Sequence, residues 1–424
     1  MYNFRFGRHC VVFCSRIAGA CHPENHALPR SQANIRILNI AVLLVYDPRP
    51  TPRFLGGTAR TAAGGRGRGS RVSREGSGLA VVKGRPTALI ALSMSEKPMS
   101  RPLAWLRDST HECAIQIARR ASQPEFDRPC FYAPDFALSD PAPWLIGERV
   151  ALDLASREWP SVVERQLPLQ SEFVQIHAQI LDLISSGEFL KVVPMVAEQL
   201  RFAQPLHPEM FWRAITGEWP QQYSYGFARH GEGLCGVTPE LLFSQQNNRL
   251  QTMALAGTAA ADGPALLEDR KERHEHQVVV DHIYHELKDL GAVEIGQTVE
   301  KIYGRLKHLY TPIEVRLKAT PSFADLVQRL HPTAALGGWP RRPALQWLKQ
   351  QSSQDLRARF GAPFGWQADG EMKCVVAIRC LQWWEDRALI CAGCGVVSSS
   401  DAAREWRELG MKRQAINQML GVPV

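Results

Sequence analysis

Apolar positions follow two alternating periods from about residue 170 onward. Phe173, Ile176, Ile180, Leu181 and Ile184 recur at three- and four-residue spacing, which puts them on one helical face, and Gly187 marks the end of that helix. Residues 190–196 are β-rich, and Pro194 among them predicts a bulge or an edge. Residues 234–243 and 250–258 read as strands joined by the polar turn Gln245-Gln246-Asn247-Asn248. Residues 264–290 read as a long charged helix opening at Pro264. A second hairpin, 374–384 and 388–397, turns around Glu385-Asp386-Arg387, and an amphipathic helix closes the chain over 401–420. Hairpins interleaved with helices, without regular βαβ alternation and without internal repeats, predict an α+β fold with antiparallel sheet.

Residues 1–98 break this pattern. The run from Gly56 to Gly69 has no hydrophobic period, and the segment reads as a basic, disordered leader ahead of a domain spanning 99–424. It is expected to be upstream sequence translated from a misplaced start, with Met94 or Met99 as the true beginning. An Arg-rich transit peptide and a nucleic-acid tail are the alternatives. The net charge of +8 belongs to this leader. It holds thirteen arginines and two lysines against Glu24, Asp47, Glu75 and Glu96, so the rest of the chain is net negative and carries no nucleic-acid signal. At 45% hydrophobic and 22% charged the composition is that of an ordinary globular protein. The apolar run 40–45 falls far short of the roughly eighteen residues that argue for a membrane span, so no membrane partner is expected. Ten cysteines lack a repeated spacing. The lone pair Cys391 and Cys394 reads as two buried thiols on a strand, which suits a reducing, cytoplasmic setting.

Several segments are more specific than periodicity requires. Lys191 lies inside the β-rich run Leu190-Lys191-Val192-Val193, where an edge-strand charge is the plainer reading. Glu240 follows Gly236-Val237-Thr238-Pro239 and alone would be a turn carboxylate. Ala254-Leu255-Ala256-Gly257-Thr258 is a strand ending where backbone N–H groups can meet an anion. In Arg273-His274-Glu275-His276, neighbouring positions diverge by about 100° on a helix, so the triplet cannot converge on zinc. A lone carboxylate suits a hard cation such as magnesium. His331-Pro332-Thr333-Ala334-Ala335-Leu336-Gly337-Gly338, Ala377-Ile378-Arg379 and Ala392-Gly393-Cys394-Gly395 come next. Glu405-Trp406-Arg407-Glu408 and Lys412 complete the set, with Glu408 and Lys412 on one helical face, for which a surface ion pair is the plain reading.

In this order, over roughly 125–424, these segments resemble the chorismate-utilising enzymes: isochorismate, salicylate, anthranilate and aminodeoxychorismate synthases. The resemblance implies two antiparallel β-sheets packed together with flanking helices around a buried site, and bound Mg²⁺. It implies Glu275 and Glu408 as magnesium ligands with Glu405 as an auxiliary carboxylate. Arg379, the backbone at Gly393, and Lys412 would bind the substrate's carboxylates. Gly257 and Thr258 would form part of the ring-carboxylate pocket, and His308 would stand near the substrate. Members that add water carry lysine where Lys191 stands, so Lys191 is expected to be the general base and Glu240 the general acid. Ala256 stands where aminodeoxychorismate synthases tend to place a nucleophilic lysine. Ala335 and Leu336 resemble isochorismate synthases, whereas salicylate synthases tend to have threonine near Ala335. The expectation is an isochorismate synthase, of a group serving menaquinone and siderophore biosynthesis alike, acting as a monomer. A salicylate synthase and a non-catalytic chorismate-binding protein are the alternatives. Pro194-Met195-Val196, Cys391 and Leu409 depart from the usual family residues, and the chain before Ser171 is shorter than usual.

Overall fold

The computed structural model describes residues 101–423, and the expected leader lies outside the described residues. Among the described residues seventeen strands, all paired antiparallel, form one continuous hydrogen-bonded system. Its first half runs from the edge strand Val162–Gln166 through Met195–Phe202, Arg387–Gly393, Cys380–Trp384, Glu232–Thr238, Tyr223–Arg229 and Leu103–Arg107 to Glu112–Ala121. The second half continues through Trp144–Arg149, Cys130–Tyr132, Pro363–Ala368, Glu371–Val376 and Leu241–Gln246 to Arg249–Ala260 and Leu306–Leu317. Gly291–Ile295 and Val299–Tyr303 both pair with that last strand. Glu112–Ala121 joins the two halves, and its register against Trp144–Arg149 slips between Ile117 and Arg119.

The halves face each other across one core. Tyr225 from the first half lies 5.5 Å from Phe364 in the second, and Phe227, Leu389, Phe131 and Val315 belong to the same buried cluster. Interior positions alternate with outward polar ones in Leu306–Leu317, which makes such packing possible. Six α-helices among the described residues flank the sheets: α1 Gln170–Ser185, α2 Trp212–Thr216, α3 Arg270–Leu287, α4 Phe323–Leu330, α5 Arg341–Leu348 and α6 Ala402–Leu420. A separate two-stranded pair, Lys191–Val192 with Gly338–Trp339, fixes the first expected site residue. Among the described residues no helix is long and apolar enough to cross a membrane.

Three departures from the sequence expectation matter most to the site. The expected strand 234–243 is two strands, broken at Pro239-Glu240, because proline offers no N–H to the ladder. The expected helix 264–290 begins at Arg270 instead. Asp269 caps it by accepting the N–H groups of Lys271 (2.9 Å) and Glu272 (3.1 Å). The expected strand 374–384 is also two strands, so Arg379 sits at a break rather than on a strand. Its φ of 54° is a left-handed conformation that costs a non-glycine residue about 1 kcal/mol or more.

Candidate active site

α3 is unusual in burying charge. Its first two turns put Lys271, Glu272, Glu275 and His276 inside, and only later turns bury Val279, Ile283 and Leu287. The helix lies across Arg249–Ala260 and Leu306–Leu317, and so delivers these polar groups to the interior. α6 does the same from the other side with Glu405 and Glu408. Asp401 caps α6 through the N–H of Arg404 (2.9 Å). The two helix starts are tied together by Arg404, whose Nη2 lies 2.8 Å from Asp269 and 2.9 Å from Glu272.

Between them is a cleft. Glu240, Glu275, His308, Arg379 and Lys412 reach its wall, together with Gly257, Thr258, Gly393, Ala335 and Leu336. Three expected residues do not line it. Lys191 is fully buried, with Nζ 2.9 Å from Glu275 Oε1. Glu408 is buried and held by Lys412 at 2.6 Å, so the expected surface pair is an interior one. Glu405 is fully buried 2.9 Å from Lys271 Nζ.

Hydrogen bonding fixes the histidine. Arg379 Nη2 stands 2.8 Å from His308 Nε2, and a guanidinium can only donate, so Nε2 accepts. The proton therefore sits on Nδ1, which donates to the Gly257 carbonyl at 2.8 Å. Burial, then Arg379 and Lys412, push the imidazole well below its usual pKa, consistent with a neutral ring. Gly257 adopts φ +73° where the strand register slips between Ala256 and Ala259. That positive φ favours glycine, and a Cβ would also come within 2.9 Å of Glu272 Oε2, the movable end of a side chain. The Thr258 N–H does meet an anion, but an internal one: it donates to Glu272 Oε2 at 3.0 Å.

The carboxylates divide by surroundings. Glu240 follows the break at Pro239, with its N–H donating to Thr238 Oγ1 at 3.1 Å. Burial pushes its carboxyl up to about 8, against the smaller opposing pull of Lys191 and Lys412. Glu275 is also buried, but Lys191 and Lys271 outweigh that and hold it well below the usual range. Glu272 and Glu405 are pushed up to about 7 by burial and by the neighbouring carboxylates Glu275 and Glu408. Among the described residues no three ligating side chains stand ready-made around a metal, and lysines hold oxygens of Glu275, Glu405 and Glu408. The donor set is nonetheless all oxygen, and burial with crowding by neighbouring carboxylates raises the pKa of Glu405, a strain that added positive charge would relieve. Both features fit a hard divalent cation. The zinc exclusion agrees with the geometry: His274 is exposed, while His276 is buried on Thr311 Oγ1 at 2.7 Å. Cys391 and Cys394 are free, buried thiols whose pKa values burial raises, but only Cys391 lies on a strand, because Arg387–Gly393 ends before Cys394.

Sequence reasoning passed over Lys271, Glu272 and Gly395. The four-residue step from Lys271 to Glu275 was the available signal for the first. Gly395 leaves room for the Lys191–Glu275 pair, since a Cβ there would lie 2.1 Å from Glu275 Oε1 and 2.5 Å from Lys191 Cε.

Residues 148–421 match the family described as chorismate binding enzyme. The salicylate biosynthesis isochorismate synthase of Pseudomonas aeruginosa is 34% identical over 261 residues, covering 58% of this chain and 54% of that protein. The chain thus spans about half the length of that relative. The putative isochorismate synthase MenF of Mycobacterium tuberculosis is 30% identical over 348 residues, covering 74% of this chain and 92% of that one. Among solved structures, MenF, the menaquinone-specific isochorismate synthase from Escherichia coli, superposes with a TM-score of 0.66 at 21% identity. That superposition covers 75% of this chain and 88% of that one. The expected architecture of packed antiparallel sheets with flanking helices is therefore that of a known fold.

Proposed function

The chain belongs to the chorismate-binding enzyme family, and from that footing we propose that it is an isochorismate synthase. The observation that carries the reading is a cleft joining cationic side chains, Arg379 and Lys412, to a buried carboxyl, Glu240, that keeps its proton at neutral pH. Chorismate is a dianion, and a guanidinium and an ammonium on the cleft wall suit its two carboxylates. The names of the matched relatives support the same reaction.

In the proposed reaction Lys191, acting as the free amine once it is released from Glu275, takes a proton from water as the water's oxygen bonds to C2 of the ring. The double bond shifts, the C4–O bond breaks, and Glu240 gives its proton to the departing hydroxyl. One water enters and one leaves, so the product is an isomer. Glu275 and Glu408, with Glu405 behind them, would hold Mg²⁺. When bound, the cation supplies positive charge at the substrate's ring carboxylate. His308, locked as the Nδ1–H tautomer, holds Arg379 in place from behind.

The test is incubation of the purified protein with chorismate and Mg²⁺, with products resolved by chromatography. Isochorismate without pyruvate is expected. Salicylate with equimolar pyruvate would make it a salicylate synthase, and unchanged chorismate that still binds would make it a non-catalytic binder.

A further inference from the structure

Lys271 takes no part in the two proton transfers, yet its ammonium stands where three carboxylates meet. Nζ lies 2.9 Å from Glu275 Oε2, 2.9 Å from Glu405 Oε1 and 3.2 Å from Glu272 Oε1. The side chain is only 7% exposed. Two of these carboxylates come from α3 and one from α6, so the lysine is the positive charge at the junction of the two helices. An exposed Lys–Glu pair four residues apart on a helix contributes little. A buried one is different, because removing either partner leaves the other uncompensated.

A divalent cation bound by Glu275 would need the carboxylate oxygens that ammonium groups now hold. Both oxygens of Glu275 are taken, one by Lys191 and one by Lys271. We propose that Lys271 is a resident counter-cation: it holds Glu272, Glu275 and Glu405 in the metal-free protein and gives way to the divalent cation on loading. The exchange rests on the magnesium reading above. It also links loading to catalysis, because a cation that draws Glu275 away loosens the ion pair on Lys191, the proposed base.

The experiment compares wild type, Lys271→Met and Glu408→Gln by calorimetric titration with MgCl₂ and by thermal melting in EDTA. Losing the ammonium removes a like charge from the cation's site, so Lys271→Met should bind Mg²⁺ at least about tenfold more tightly. In EDTA it should melt about 5 °C or more below wild type, and Mg²⁺ should restore much of that difference. A variant that folds only with Mg²⁺ supports the exchange equally. Unchanged or weaker Mg²⁺ affinity would overturn it and make Lys271 an organiser of the ligands. If the methionine variant does not fold, Lys271→Gln keeps a hydrogen-bond donor. A glutamine variant unfolded even in Mg²⁺ makes the lysine a permanent structural cation and overturns the exchange. The magnesium reading fails separately, if wild type takes up no Mg²⁺ or Glu408→Gln binds it as wild type does, and the exchange falls with it.

Discussion

Glu240 and Glu275 are both buried carboxyls on one cleft wall, and their neighbours send them in opposite directions. Glu275 has two lysines within 2.9 Å and stays ionised, whereas Glu240 has burial as its dominant influence and titrates at about 8. A raised carboxyl pKa means the proton is held below that value and lost above it. If Glu240 is the acid, kcat falls as pH rises through about 8. Glu240→Gln should lower kcat by about 10²-fold or more and abolish that basic limb. A basic limb surviving in this variant assigns the limb to another group. Lys191→Ala should lower kcat on the same scale with little change in KM if, as proposed, Arg379 and Lys412 supply the binding. A near-normal kcat with a much raised KM would make Lys191 a carboxylate binder. The residue types and motif positions were legible in the sequence, since each lay in a segment more specific than its period. Their partners were not. The Lys191–Glu275 pair joins residues 84 positions apart in the numbering, and nothing local announces it.

The starts of α3 and α6 are where elements become a site. Asp269 caps α3 and also takes the Arg404 guanidinium at the start of α6, so one carboxylate sets the position of both charged helices. Asp269→Ala should cost about 1–2 kcal/mol of stability, the upper range for a cap because the Arg404 contact goes with it. Chemical denaturation would measure this, and a loss within 0.5 kcal/mol, the scale of ordinary surface changes, would show that Arg404 and Glu272 hold the helices without it. The sequence placed the helix near 264–290 but missed this cap, because the proline at 264 offered a competing start signal. The strand breaks at 239–240 and 377–379 were missed for a related reason. Apolar residues continue through both, and period alone does not register the backbone turns that aim Glu240 and Arg379 into the cleft.

At the scale of the molecule, chain order and spatial order diverge widely, which is why the antiparallel class was legible and the topology was not. Leu103–Arg107, the first described strand, pairs with Tyr223–Arg229 more than a hundred residues later, and also with Glu112–Ala121, the strand that joins the two halves. Trp105 on it is fully buried, and its indole donates to Ser224 Oγ at 3.2 Å. The fold therefore needs the chain from about residue 103 onward, since an interior strand cannot be lost without exposing both neighbours. The cleft needs nothing earlier than Lys191, and the family match begins at residue 148. A chain beginning at Met99 should therefore fold with a melting temperature within a few degrees of the full chain and keep its kcat on chorismate. A chain beginning at Glu112 should not: it lacks the strand that pairs on both sides, and it buries no Trp105. Melting curves and product assays on the two truncations decide the point. Loss of fold or turnover in the Met99 chain would show that residues before 99 contribute to the domain.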